Sequence, residues 1–207
     1  MFFDPQKNDH GLPRDPFKAC IVPRPIGWVS TISASGVENL APYSFFNAVA
    51  EFPRMVMVCV NANHADGRQK DTVVNVRQVP EFVVNLATWS QREAMNLSCA
   101  PVASEVDEFD LASLEKLPSR LVRPSRVAKA GIGLECRLHQ IIDLPTTPSG
   151  EPNAMMIGNV VGIHIDDEIM TDGRIDMKKL KPIARLGYSE YAVVGADNIF
   201  AMRRPNE

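Results

Sequence analysis

The chain of 207 residues lacks the features that mark several large function classes. No apolar run approaches the roughly 20 residues of a membrane-spanning helix. No basic segment followed by a long apolar stretch opens the chain at Met1-Phe2-Phe3-Asp4-Pro5, so no secretory leader is expected. Charge of neither sign dominates. The net charge is -3 and the pI is near 5.8, which argues against a general nucleic-acid or anionic-membrane surface. Cysteine is scarce and unpaired in spacing: Cys20, Cys59, Cys99 and Cys136 form no C-x-x-C. That excludes a vicinal dithiol and suits reduced, mostly buried thiols in a cytoplasmic protein. The histidines His10, His64, His139 and His164 lack metal-ligand spacing, and H-E-x-x-H is absent, so no metal site is expected. There is no G-x-S-x-G elbow, no P-loop and no nucleic-acid module. Without G-x-G-x-x-G, a dinucleotide is not held in the Rossmann manner.

What is present is proline. Sixteen residues of it, with 12 glycines, punctuate a chain that is 45% hydrophobic and 23% charged. Many sit where extended segments end, among them Pro23, Pro25, Pro42, Pro53, Pro80, Pro101 and Pro145. That is the punctuation of a β-rich protein. One domain over residues 1–207 is expected, with an N-terminal arm over 1–22 and a C-terminal extension over 167–207. Strands are predicted at 28–33, at 40–49 as one extended stretch, at 55–60 buried on both faces, and at 82–86. Further strands are predicted at 133–139, with Glu135, Arg137 and His139 facing out, and at 154–165. The latter carries Met155, Ile157, Val161, Ile163 and Ile165 on one face and Gly158 and Gly162 on the other, where they permit close approach. A short helix is predicted from Asp71 or Thr72 near its N-cap. A second opens at a Ser90-x-x-Glu93 capping box and runs to Pro101. The acidic run 105–110 reads as a solvated face, and a helical turn is expected at 177–180. Strands that do not alternate with long helices favour an antiparallel barrel over a parallel sheet.

Two stretches carry candidate chemistry. In the first, Ser30, Thr31, Ser44 and Asn47 lie among Trp28, Tyr43, Phe45 and Phe46, a mixture suited to a flat heteroaromatic ligand such as a flavin. From composition alone, barrel core is the stronger reading of that mixture. In the second, Arg68 and Lys70 flank a helix start to which Thr72 adds a hydroxyl. Free N–H groups with nearby cations prepare an anion site, best suited to phosphate. The competing reading is an ordinary surface helix with solvated cations.

The segment from Arg24-Pro25-Ile26-Gly27-Trp28-Val29-Ser30-Thr31 to Asn39-Leu40-Ala41-Pro42-Tyr43-Ser44-Phe45-Phe46-Asn47 resembles the flavin reductase-like (flavoredoxin) family. Lys70-Asp71-Thr72, Glu81-Phe82-Val83-Val84-Asn85, Glu105 to Phe109, Glu135-Cys136, Ile157 to Val160 and Arg185-Leu186-Gly187-Tyr188 continue it. The resemblance implies a mainly β fold with short helices: an antiparallel, Greek-key-like split barrel that binds FMN, commonly as a homodimer. It implies that Ser30 and Thr31 meet the ring edge or ribityl chain, and that Ser44, Phe45, Phe46 and Asn47 line the ring. Lys70, Asp71 and Thr72 would stand at the phosphate, and Tyr188 and Tyr191 would close the pocket. The activity implied is an NAD(P)H:flavin reductase passing hydride from NADH or NADPH to flavin N5, a reaction that asks for no catalytic acid–base residue. A partner monooxygenase or redox protein would take the reduced flavin. A non-enzymatic FMN electron carrier of the flavoredoxin type is the alternative, and a split barrel without cofactor is a third.

Overall fold

A computed structural model describes residues 1–205. Chain order begins with short β1 (Arg24–Pro25), β2 (Gly27–Ile32), β3 (Glu38–Tyr43), β4 (Phe46–Ala50), β5 (Met55–Asn61), α1 (Asp71–Gln78) and β6 (Glu81–Leu86). Then come α2 (Arg92–Leu97), α3 (Glu108–Leu111), the two-residue strands β7 (Lys116–Leu117) and β8 (Arg126–Val127), and the long pair β9 (Ile132–Leu144) and β10 (Asn153–Ile165). The tail holds β11 (Met170–Thr171), β12 (Arg174–Ile175), α4 (Met177–Leu180), β13 (Ile183–Arg185) and β14 (Tyr191–Val193). Among the described residues no helix is long and apolar enough to cross a membrane.

Seven strands form one antiparallel sheet in the order β3-β2-β6-β9-β10-β5-β4. Its two edges, β3 and β4, are consecutive in the chain and are joined only by Ser44 and Phe45. Two residues cannot span a flat seven-stranded sheet at about 4.8 Å per strand, so the sheet must curl until its edges nearly meet. The result is a split β-barrel. The Phe45 carbonyl accepts from Cys59 N–H at 2.8 Å, which ties the crossing residues to β5. The predicted single strand over 40–49 is therefore two strands on opposite edges, broken where the chain crosses the seam.

Val29, Val56, Val58, Phe82, Val84, Cys136 and Met156 fill the interior together with Val73 and Val76 of α1. A second cluster around Trp28, Leu40, Met95 and Phe109 backs the outside of β2 and β3. Strand β6 is thus covered on both faces, as its continuous apolar run predicts. Strand β5 is not: Val56, Val58 and Val60 face in, while Met55, Met57 and Cys59 stay half-buried. On β10 the core takes Ala154, Met156 and Gly158, and the larger apolar residues of the other face stay partly open. Gly158 shows why small residues hold this position, since a Cβ there would stand 2.4 Å from Phe82 Cζ.

Two carboxylates expected at the surface are buried instead. Glu135 is fully enclosed and accepts from Arg120 N–H at 2.7 Å and Leu121 N–H at 2.6 Å, and it meets His164 Nε2 at 2.5 Å. The simple alternation fails there because the 118–125 loop folds over the outer face of β9 and supplies N–H donors. Glu108, in the acidic run, is buried as well. Helix starts also differ from the expectation. Lys70 is the N-cap of α1 and no side chain caps it. Ser90 lies within a 3-10 turn before α2, bonded to Thr88 rather than capping a helix, and α2 ends at Leu97, ahead of Pro101.

Candidate functional site

The seam between β3 and β4 is a groove. Its widest part is a cavity of about 500 Å³ lined by Pro42, Tyr43, Ser44, Phe45, Cys59 and Asn61, with Arg24, Arg185 and Tyr188 on the far side. Pro42 and Tyr43 also line a smaller cavity of about 190 Å³ with His64, Lys70, Asp71 and Thr72. Ser44 and Phe45 continue in the other direction into a cavity of about 300 Å³ that includes Phe46, Asn47 and Met57. The three share walls, so the crossing segment 42–47 is the continuous side of one groove.

The end at α1 is built for an anion. With no side-chain cap, the N–H groups of Asp71 and Thr72 have no partner among the described residues. The Lys70 ammonium makes no ion pair among the described residues. His64 lies 3.3 Å from the Asp71 carboxylate but off the hydrogen-bond line, which leaves both ring nitrogens buried and unpartnered. Unpartnered buried polar atoms are costly, and they are common where a ligand completes the set. The Arg68 guanidinium is held by Asp66, Ser104 Oγ and the Val102 carbonyl, and lies 3.9 Å from the Asp71 carboxylate.

Behind this end runs a buried chain of hydrogen bonds that sets the shape of the groove. The Glu108 carboxylate accepts from Leu40 N–H at 2.9 Å and from Asn39 Nδ2 at 3.0 Å. Asn39 Oδ1 then accepts from Thr72 Oγ1 at 3.0 Å and Thr31 Oγ1 at 3.3 Å. Thr72 Oγ1 accepts in turn from the Tyr43 hydroxyl at 2.8 Å, and Thr31 Oγ1 accepts from Asn75 Nδ2 at 3.1 Å. The carboxylate can only accept from Asn39 Nδ2, and each hydroxyl then has one acceptor, so the direction of the chain is fixed from the carboxylate outward. Burial pushes the Tyr43 phenol well above its ordinary range, so it stays a neutral donor. Burial also raises Glu108, against the pull of the Leu40 N–H and the Asn39 amide.

Of the residues singled out in the sequence, Ser44, Phe45, Phe46, Asn47, Lys70, Asp71, Thr72 and Tyr188 lie along the groove. Ser30 and Thr31 lie behind its wall, fully buried, with their hydroxyls spent on internal bonds; Ser30 Oγ donates to the Ser125 carbonyl at 2.5 Å. Tyr191 faces a separate apolar cavity of about 300 Å³ with Trp89 and Arg92. Its hydroxyl accepts from Arg185 at 2.5 Å, and through that arginine it touches the groove at second hand. Sequence reasoning passed over Arg24, Arg185, Asn39 and Glu108. Arg24 and Asn39 lie inside the first segment of the resemblance, and Glu108 and Arg185 inside its continuations, but there the hydroxyls, the aromatics and Asn47 carry the ligand signal. Nothing in the acidic run marked Glu108 as the buried one except the apolar Phe109 beside it, itself fully buried.

Known proteins resemble this chain in sequence and fold over most of its length. The family model described as flavin reductase like domain matches residues 19–181. An uncharacterised protein of Halalkalibacterium halodurans is 37% identical over 186 residues, covering 89% of this chain and 87% of the relative. The crystal structure of nitrilotriacetate monooxygenase component B from Bacillus cereus superposes with a TM-score of 0.86 at 33% identity, over 98% of both chains. That of the 2-nitrobenzoate 2-nitroreductase from Pseudomonas fluorescens gives a TM-score of 0.79 at 26% identity, over 92% of this chain and 89% of that one. Sequence, fold and the span of the match agree: the chain belongs to the flavin reductase-like family, and its chemistry is flavin-linked oxidoreduction.

Proposed function

We propose that the chain is an NAD(P)H:flavin reductase that works with FMN. The observation that carries this reading is the continuity of the seam groove with an uncapped helix start. A flat ring and a phosphate need such ends on one path. In this reading Lys70 and the N–H groups of Asp71 and Thr72 hold the phosphate. Phe45 and Phe46 give the ring an apolar wall, and Ser44 and Asn47 give its edge polar contacts. Ser30 and Thr31 support that wall from behind, and the Tyr43 ring is locked by Thr72. Tyr188 stands half-exposed at the mouth, with Arg14 5.9 Å from its ring centre, and shields the groove from water. The flavin, when bound, supplies the hydride acceptor at N5 and carries the electrons onward. The protein's own task is then positioning, which accounts for a groove without a nucleophile–base pair.

The reading extends to a homodimer, supported by Val49, Phe52 and Ile163, which stand half or more exposed on β4, the turn before β5, and β10. It extends also to a monooxygenase as the consumer of reduced flavin, supported by the likeness to a monooxygenase component B. The test is the visible spectrum of the purified protein before and after anaerobic addition of NADH or NADPH. Bleaching of bound FMN is the expected result. A colourless protein that takes up no FMN refutes the flavin assignment, and a yellow one that neither nucleotide bleaches is an electron carrier.

A further inference from the structure

The groove has a second cationic cluster, in its widest part and apart from the helix start. Arg24 on β1 and Arg185 on β13 are direct partners in the antiparallel register, and both line the widest cavity together with Lys18. Like charges placed opposite each other across a strand pair are destabilising. Neither arginine has a carboxylate within ion-pair distance among the described residues. Arg24 is only 5% exposed. Its terminal nitrogens are spent on the carbonyls of Lys18, Ile21 and Leu186, while its Nε is buried with no partner. Burial first, and Arg185 second, hold the Arg24 guanidinium below its ordinary value. The one acid in the lining, Asp15, already accepts from Phe17 N–H at 2.8 Å. Arg185 is half-buried, and its guanidinium donates to the Tyr191 hydroxyl and the Tyr188 carbonyl, neither of which is charged. A mutually repelling pair without a counter-charge, one member of it buried, is a site that an anionic ligand group completes.

FMN has one phosphate, and in the reading above it lies at Lys70. We propose that the Arg24–Arg185–Lys18 cluster, across the widest part of the groove from the crossing segment, binds the phosphate-bearing part of the nicotinamide dinucleotide, so that the hydride donor and the flavin phosphate are held by separate cationic groups. This rests on the reductase reading and adds to it the residues that choose a dinucleotide over a bare nicotinamide.

The experiment compares two hydride donors on the FMN-loaded protein: NADH or NADPH, and N-benzyl-dihydronicotinamide, which carries no phosphate. Arg185→Gln is expected to raise KM for the dinucleotide roughly tenfold to a hundredfold, the range for a lost charge-assisted hydrogen bond. The phosphate-free donor is expected to change by less than about threefold, well inside that same range. Lys18→Gln is the second variant. Lys18 is exposed and its side chain makes no hydrogen bond among the described residues, so folding is not at stake; the same selective loss is expected, smaller in size. Inorganic pyrophosphate is expected to compete with the dinucleotide and not with the phosphate-free donor. Equal losses on both donors, or no loss on either, overturn the assignment while wild-type activity leaves the reductase reading standing. Weaker FMN binding with unchanged riboflavin binding in Arg185→Gln also overturns it, because the anion held there is then the flavin's own. A wild-type protein that binds FMN and oxidises neither donor refutes the reductase reading itself.

Discussion

Replacing Lys70 with alanine separates a phosphate site from an ordinary surface helix. Lys70 is the N-cap of an eight-residue helix, its side chain forms no cap, and its ammonium has no protein counter-ion among the described residues. Its removal should therefore cost the fold little. A hydrogen bond to a charged group contributes about 1.5–3 kcal/mol, and the helix N-terminus that remains contributes about 0.3–1 kcal/mol toward an anion. At 1.4 kcal/mol per factor of ten, the FMN dissociation constant should rise roughly 10- to 100-fold. Riboflavin, which has the same ring and no phosphate, should change by less than about twofold, a few tenths of a kcal/mol. Quenching of flavin fluorescence measures both, and the FMN difference should shrink between low and high salt as screening removes what the cation supplied. Thr72→Val provides the contrast. The Thr72 hydroxyl is committed to Asn39 on one side and Tyr43 on the other, so its loss should loosen Tyr43 and weaken both flavins alike. Equal losses of FMN and riboflavin in Lys70→Ala would show that the ammonium does not face the phosphate.

Two further predictions address the barrel. Gly158→Ala should lower stability by about 1–3 kcal/mol, the usual cost of overpacking a core, because the new Cβ meets Phe82 Cζ at 2.4 Å and Cys136 Cβ at 3.2 Å. At about 2–4 °C per kcal/mol for a chain of this size, a calorimetric melt resolves that loss, and an unchanged Tm would mean that β6 and β10 have room to separate. Glu135→Gln should destabilise in a pH-dependent way. Burial alone would raise the Glu135 carboxyl, but the Arg120 N–H, His164 and the Leu121 N–H together hold it below its ordinary 4.5. A depressed folded-state value contributes stability above that ordinary value and loses it as pH falls through the folded one. The variant should accordingly lie roughly 1–3 kcal/mol below wild type at neutral pH and approach it in acid. A gap that stays constant from pH 7 to pH 3 would show that the carboxylate charge is not what Arg120, Leu121 and His164 hold.

Much of the barrel was legible in the chain because its strands carry their own evidence. The apolar run of β6 and Gly158 of β10 state burial and close approach locally, whereas Gly162, past a register shift at Val160, faces Glu135 with ordinary contacts; the antiparallel class followed from strands without long helices between them. What stayed hidden depended on a partner far away in sequence. Glu135 looks outward by alternation until the 118–125 loop closes over it. Glu108 looks solvated until Asn39 and Leu40, from β3, offer it donors. Residues 40–49 look like one strand because the pattern of a strand does not record which edge of a sheet it occupies.

That last failure bears on function. The two-residue crossing at Ser44 and Phe45 forces both sheet edges together, and the groove exists because they meet without pairing. Residues within the crossing were identifiable because they are contiguous. The two cationic clusters were not equally so. Lys70 stands at a helix start that sequence can signal. The Arg24–Arg185 pair arises only from the register of β1 against β13, across most of the chain. A ligand group held by contiguous residues is therefore readable before the structure is known, and one held by strand pairing is not. For this chain the first group is the one assigned to FMN and the second the one assigned to the hydride donor. The donor's specificity should accordingly track substitutions at 18, 24 and 185 rather than within the crossing segment 42–47.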